Sequence, residues 1–313
     1  MKKNHTPNLR QWVAFCVAFI TLLLTPLAHA QSIKGTPAEI AKAFAPRIFM
    51  HPKEEWFPSS VSFFFQHVSK QGERYVTKDK LSKPSSWDWN GAFGQQPDSI
   101  SVPVYAFIID DKREGGKAFT DIAYFTFYPY NRGKKVANTF WGNHVGDWEH
   151  LTIRFSQEGN SYTPVKVSFS QHNTNEVHAW GASTLKMEGN HLIAYEAKGS
   201  HGLYSKPGNH VYKTIKIAFI TIMKLADDTG HGANWDTWKN VVTVTQDDAG
   251  KLSCTGHDGK LNAENCSTWL NFDPQFRWGN AKAGACLAGE CQLNTGPSGP
   301  RGKPAVSKPS RFD

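Results

Sequence analysis

The sequence predicts a mainly β protein: an antiparallel β-sandwich with peripheral short helices and a disulfide-stapled C-terminal extension. Three observations predict it. First, VPVYAFII, DIAYFTFYPY, HLTIRFS, VKVSFSQH and HLIAYEAK are rich in β-branched and aromatic residues and are bounded by Gly, Asn, Asp and Lys. Second, no amphipathic helical pattern lies between these runs, so turns rather than crossover helices join them. Third, Cys254, Cys266, Cys286 and Cys291 are all confined to the end of the chain, where they suit covalent staples of an exported protein.

The elements follow in order. Lys2, Lys3 and Arg10 precede an apolar stretch from Trp12 to Leu27, shorter than the ~20 residues of a membrane span. Ala28, His29 and Ala30 then give the small-x-small pattern of a cleavage site. Residues 1–30 are therefore expected to be a signal peptide that also carries Cys16, with an uncleaved anchor as the alternative. The expected product is exported, secreted or periplasmic. No other stretch approaches ~18 consecutive apolar residues, so no transmembrane span is expected in the mature chain.

Residues 31–242 are expected to form the sandwich domain. TPAEIAKAFAP (36–46) reads as a short helix capped by Thr36 and stopped by Pro46. Prolines 52 and 58 mark turns before a strand or helix beginning at Val61. Residues 82–99 read as a loop, TIKIAFITIMKL (214–225) as a strand, and NWDTWKNV (234–241) as a short helix. Residues 243–293 read as a Cys-containing extension packed on the sandwich. Residues 294–313, rich in Pro, Gly, Ser and basic residues, read as a disordered tail. The late cysteines allow three pairings. The local scheme, Cys254 with Cys266 and Cys286 with Cys291, is preferred. A zinc site is disfavoured because no C-x2-C spacing is present.

The formal net charge is +8. Losing the three basic residues of the leader leaves only a mild excess over 27 acidic residues. That permits an anionic surface or a lipid headgroup as partner without requiring one. No basic cluster has nucleic-acid spacing, so no nucleic acid partner is expected. Aromatics make up 13% of the chain, and Trp87, Trp89 and Trp141 are candidates to contact a glycan or a membrane interface.

GNHVGDWEHLTIRF (142–155) concentrates the chemistry. On a strand starting near Asp147, alternation places Asp147, Glu149, Leu151, Ile153 and Phe155 on one face. The apolar members make that face the buried one. Trp148, His150, Thr152 and Arg154 fall on the other face, which is expected to meet water. Two carboxylates with one inward orientation repel, so either one is protonated or a cation lies between them. His144, on a loop across Gly146, completes an O/N donor set for Mg, Ca, Mn or Zn. A strand mouth whose polar groups bond to neighbouring loops is the structural alternative. His172 and His201 close two other strand runs and are candidates to reach the same mouth. Ser200 beside His201 is no nucleophile pair, because adjacent side chains point apart. Asp227 and Asp228 read as a solvated turn.

FAPRIFMHPKEEWFPSS, TFYPYN, GNHVGDWEHLTIRF, SFSQH, YEAKGSHGLYSKPG and DDTGHGANWDTW, in that order, resemble the Vps62-like family. The likeness covers about residues 44–242. HVGDWE is also similar, more distantly, to the HRHDWE core of the necrosis- and ethylene-inducing peptide 1-like proteins, which are secreted cytolysins. That second resemblance implies a β-sandwich and a divalent cation held by His144, Asp147 and Glu149 for recognising a sphingolipid headgroup. The motif's second His is Gly146 here, and the nearest counterpart of a further upstream Asp ligand is Asn131.

Three functions fit these residues. The first is a secreted, metal-dependent binder of an anionic or glycosylated lipid headgroup that acts on membranes. The second is a metal-dependent hydrolase of a phosphoester or lipid, with His150, His172 or His201 as acid or base; no HExxH or GxSxG accompanies it. The third is a secreted interaction module whose polar cluster is structural.

Overall fold

The structure is a computed structural model that describes residues 31–79, 89–97, 102–114, 117–136, 139–172, 174–217, 220–256, 266–283 and 293–306. The expected signal peptide, Trp87, the Cys286–Cys291 pair and residues 307–313 lie outside the described residues.

The expected strand runs all form strands: Val104–Glu114, Lys117–Asn131, His144–Glu158, Ser161–Gln171 and His191–Glu196. The first four lie side by side, each antiparallel to its neighbour, in an eight-stranded sheet. A five-stranded sheet contains His191–Glu196 with Arg47–Phe49 and Asn234–Asp236. The two sheets enclose a core of Ile122, Tyr124, Leu151, Ile153 and Phe155 against Ile48, Leu192, Ala194, Leu203 and Trp235. The pairing is not purely antiparallel. Val241–Gln246 runs parallel to Val104–Glu114, and His191–Glu196 runs parallel to Arg47–Phe49. Parallel partners need long connections, and in both cases most of a sheet separates the paired strands in sequence.

The short helices sit where capping residues put them. Pro37–Ala43 begins with a capping box in which Thr36 and Glu39 satisfy each other's backbone N–H groups. At Val61 the open choice resolves to helix: the Ser60 side chain accepts from Phe63 N, and Val61 and Phe64, three residues apart, are both buried. Two readings change. The 214–225 segment is not one strand but the facing ends of a hairpin, Gly208–Ile217 with Ile220–Thr229. The apolar run contains no Gly, Pro, Asn or Asp to mark the break between Ile217 and Ile220, so periodicity alone did not show it. In 234–241, Asn234–Asp236 pairs with Arg47–Phe49 as a strand, and only Thr237–Lys239 is helical, as one 3-10 turn.

The C-terminal residues bring the larger correction. Trp148, His150, Thr152 and Arg154 do not face water; all are buried. The second face of the large sheet carries its own core, in which Phe107, Phe125, Phe127 and Trp148 pack against Phe64, Trp269, Leu270, Phe276 and Trp278. Arg154 meets Asp121 with two parallel bonds of 2.7 and 2.8 Å, the geometry that lets a guanidinium be buried. The extension is thus a third layer. It also enters the sheet directly, because Val241–Gln246 crosses the expected boundary at 242 and Leu252–Thr255 pairs with it. The disulfide joins Cys254 to Cys266, as the local pairing expected. The expected disordered tail is ordered from 294 to 306: Pro300–Gly302 and Pro304–Val306 form 3-10 turns, with Ala305 and Val306 in the second core. Its Pro-rich composition resembles that of a tail, but these few small apolar residues suffice to seal an aromatic layer.

Removing residues 296–313 is therefore expected to lower the unfolding free energy by at least ~3 kcal/mol, the scale of uncovering a few apolar side chains. An unchanged thermal melting temperature would return these residues to the status of a tail.

His150 supplies a second expectation. Its ring stacks on Phe125 at 4.5 Å, and its Nδ1 has no partner among the described residues. Burial, reinforced by the charge of Lys303, pushes its pKa down to about 3 from an ordinary 6.5. Above pH 6.5 neither folded nor unfolded chain carries this proton. Between pH 6.5 and 3 only the unfolded chain binds it, so stability falls as pH falls, by up to ~1.4 kcal/mol per unit. Denaturant titrations at pH 6, 5 and 4 should show a shallower loss in His150→Leu than in the wild type; parallel curves would contradict this assignment.

A candidate cation site at the strand mouth

The alternation argument holds on the first face. Asp147 and Glu149 pair across the sheet with Tyr128 and Thr126, and they precede Leu151 on the side that meets the second sheet. The strand begins at His144 rather than near Asp147. Gly146 stands in the middle of the motif, where there is no room for a side chain. It adopts φ +70°, and a Cβ there would lie 2.0 Å from the carbonyl oxygen of Trp278. The C-terminal layer presses so closely on the strand that no side chain fits.

His201 connects the motif to the rest of the site. It has a left-handed backbone at φ +59°, and His172 at φ +50° is the other such non-glycine among the described residues. Strain of this kind persists only where surrounding contacts enforce it. The Nδ1 of His201 lies 3.0 Å from Asp147 Oδ2, and its Nε2 lies 3.1 Å from the Trp56 carbonyl. The ring stacks on Tyr128 at 3.9 Å, nearly parallel to it. Tyr128 donates to Glu196 Oε2 at 2.6 Å. Glu196 is wholly buried, and its Oε1 has no hydrogen-bond partner among the described residues. Glu54 is held from the other side by the backbone N–H groups of Glu55, Trp56 and Gly199, at 2.7–3.0 Å.

Sequence reasoning did not single out Glu54, Glu196 or Tyr128. The signal for Glu196 was present: it shares parity with Leu192 and Ala194, both buried, so alternation puts it inside. Glu54 lies in HPKEEW, one of the segments that carry the family likeness. Nothing local identified it.

The charges are opposed and coupled. Burial raises the Glu149 carboxyl well above the usual range, and the charge of Asp147 adds to this. Burial also works to raise Asp147. The hydrogen bond from His201 and the charges of His144 and His201 outweigh it, so Asp147 is the ionised member. Glu196 is raised by burial first and by Glu54 second. His144 is lowered chiefly by burial. Its Nδ1 lies 2.7 Å from the Gly146 carbonyl and so must carry the hydrogen, which leaves Nε2 as the lone-pair nitrogen.

Among the described residues, one triple brings its ligand atoms within 4.8 Å of one another: Glu54, Glu196 and His201. His144, Asp147 and Glu149 form no such triple. Proximity alone does not rank the two sets. Both His201 nitrogens already face acceptors, a carboxylate and a carbonyl, whereas His144 has a lone pair and the Glu149 carboxyl accepts no bond among the described residues.

The other candidates separate. His172 does reach a buried carboxylate, but it is Asp227, at 2.8 Å. Asp227 is not in a solvated turn; it is fully buried and also takes bonds from Ser200, Tyr204 and Lys134 at 2.7 Å each. Burial opposes its charge, but the bond from His172 and the charge of Lys134 hold its carboxyl far below the ordinary value. Ser200 donates to Asp227, in keeping with the argument against a Ser–His pair. His150 lies on the opposite face of the sheet, away from the mouth. Asn131 donates its amide to the Gly142 carbonyl at 3.0 Å, bracing the loop before His144. Of the tryptophans, Trp89 is buried and Trp141 is exposed.

A two-sheet β-sandwich with an acid–histidine cluster at one end of its central strands is the class that fold and site define. Within that class the chain resembles the Vps62 family. Residues 98–227 match the family model described as vacuolar protein sorting-associated protein 62. The chain is 28% identical over 232 residues to the Saccharomyces cerevisiae protein of that name, covering 68% of this chain and 45% of that one. It thus spans less than half the length of that relative. A second yeast protein, the vacuolar protein sorting-associated protein TDA6, is 28% identical over 342 residues, covering 88% of this chain and 69% of its own.

Among solved structures, Necrosis and Ethylene inducing Protein 2 from the causal agent of cocoa's Witches Broom disease matches with TM-score 0.35 and 16% identity, over 57% of this chain and 70% of that one. A structure described as a toxin fold for microbial attack and plant defense matches with TM-score 0.35 and 17% identity, over 55% and 71%.

The Gly146 contact makes a direct expectation. Gly146→Ala should cost at least ~3 kcal/mol, because the left-handed backbone adds strain to an overlap that only main-chain movement relieves. Gly72→Ala is the control, since Gly72 has φ +55° with nothing near its missing Cβ; its loss should be ~1 kcal/mol. Equal losses in urea unfolding would show that strain alone acts at residue 146.

Proposed function

We propose that this protein is exported and binds a divalent cation at His144, Asp147 and Glu149, using it to engage an anionic or glycosylated lipid headgroup at a membrane. The observation that carries this reading is the Asp147–Glu149 pair. Two neighbouring carboxylates face one buried side, Asp147 is ionised, and Glu149 accepts no bond among the described residues. Such a pair is relieved by a cation, and the lone-pair nitrogen of His144 completes a hard-to-borderline donor set. The cation would supply open coordination positions for headgroup oxygens. Glu54 and Glu196 add negative charge behind the mouth.

Exposed Trp141, close in sequence to His144, suits contact with an interface. The Cys254–Cys266 bond fits an oxidising compartment. Binding is favoured over hydrolysis because the histidines a hydrolase would use are committed elsewhere. His172 is held by Asp227, His201 is held at both nitrogens, and His150 lies on the other face.

Metal analysis and calorimetry with Ca, Mg, Mn and Zn on the leaderless protein should find one bound divalent ion per chain. The double variant Asp147→Ala, Glu149→Ala should lose it while remaining folded. Equal metal content in wild type and variant would overturn the cation reading. Vesicle binding that persists unchanged in chelator would overturn its role in headgroup recognition.

A further inference from the structure

A concavity of about 470 Å³ lies beside the acid cluster. Trp56, Arg132, Lys134, Lys135, Phe140 and Lys198 line it. Its walls are anchored in the buried network. The Trp56 carbonyl faces His201, the Gly199 N–H holds Glu54, and Lys134 reaches Asp227 at 2.7 Å. The Arg132 guanidinium sits over the ring of Phe140 at 3.8 Å and over that of Trp56 at 5.6 Å. Such clamping fixes where a guanidinium directs its donors.

Lys134 is neutralised by Asp227. Lys135, which is exposed, and Lys198, which is half-buried, form no ion pair among the described residues. The indole N–H of Trp56 is buried without an acceptor among the described residues. Two carboxylates also reach the lining, Glu55 and Asp228. Glu55 is exposed, and Asp228 Oδ2 lies 3.3 Å from His51 Nε2. Four basic side chains and two carboxylates line the pocket, so its lining stays positive even with Lys134 neutralised by Asp227. It comes from chain segments far apart in sequence, with two aromatic faces beside it.

We propose that this pocket binds a phosphate ester, with Arg132, Lys135 and Lys198 holding the phosphate oxygens and Trp56 and Phe140 flanking the organic part. A phosphate ester offers up to three strong acceptor oxygens and as much as two negative charges, which match separated donors better than the two oxygens of a carboxylate do. The aromatic walls suit a sugar ring or a glycerol backbone. This deepens the headgroup reading and rests on it for the kind of ligand, but not for the cation.

The test uses the leaderless protein in chelator and in calcium. Glucose 6-phosphate, measured by calorimetry, represents a soluble source. Vesicles of phosphatidylcholine with and without phosphatidic acid, measured by co-sedimentation, represent a lipid source. At least one phosphate-bearing probe should bind in chelator and weaken as salt rises. Lys135→Ala with Lys198→Ala should weaken that binding at least ~10-fold, about one charge-assisted bond's worth, with the melting temperature unchanged. Binding of the sugar phosphate alone supports a soluble ligand, and binding of phosphatidic acid vesicles alone supports a lipid. No binding by either probe, or equal binding by wild type and double variant, overturns the proposal. Binding that requires calcium and ignores the lysines would leave the cation reading standing and remove this one. Binding lost with the lysines, in a protein that holds no metal, would do the reverse.

Discussion

The contact between Asp147 and His201 is the interaction on which the functional end of the molecule depends. A buried carboxylate needs hydrogen bonds or an opposite charge, and His201 supplies them across 54 residues of sequence. The same ring faces the Trp56 carbonyl and stacks on Tyr128, which in turn holds Glu196. One imidazole thus joins the motif strand, the segment after Arg47–Phe49, and the loop after His191–Glu196. The unusual backbone of His201 follows from this, because only a left-handed turn delivers the ring to all of these partners at once. The basic pocket shares this hydrogen-bonded wall with the acid cluster through Trp56 and Gly199.

A second constraint is that the central sheet is covered twice. A strand buried on both faces can hold an Arg or a carboxylate only with a partner, and Arg154 has Asp121. The C-terminal layer supplies the second cover through Trp269, Trp278 and the turns that end in Val306. Its pressure on Gly146 removes any side chain from the middle of the motif. The motif therefore presents His144, Asp147 and Glu149 with no side chain at position 146. The same layer brings Lys303 close enough for its charge to act on His144, Asp147, Glu149 and His150.

The residues differed widely in how readable they were. The inward set Asp147, Glu149, Leu151, Ile153 and Phe155 was legible because period-two alternation is local and one face was plainly apolar. Trp148 and His150 were misplaced because the same alternation cannot say whether a distant segment covers the other face. The break between the two strands of the 208–229 hairpin was hidden because no Gly, Pro, Asn or Asp stands between Ile217 and Ile220. Glu196 was readable from parity with Leu192 and Ala194, but Glu54 and Asp227 acquire their roles only from partners far along the chain. The Pro-rich end looked like a tail because composition reports average polarity, whereas its packing rests on Ala305 and Val306.

The sequence by itself determined the β class, the main strands, the capped helix at Pro37, the Cys254–Cys266 staple and the inward pair Asp147 and Glu149. Each of these is set by neighbours within a few residues: side-chain period, capping geometry, or the short loop between two cysteines. Tertiary structure alone decided that the sheet is buried on both faces, that His201 rather than His172 meets Asp147, and that Lys134 reaches the buried Asp227. It also decided that Arg132 and Lys198 share a pocket. Those outcomes depend on which distant segments are brought together, and long-range convergence leaves no periodic trace in any one stretch of chain.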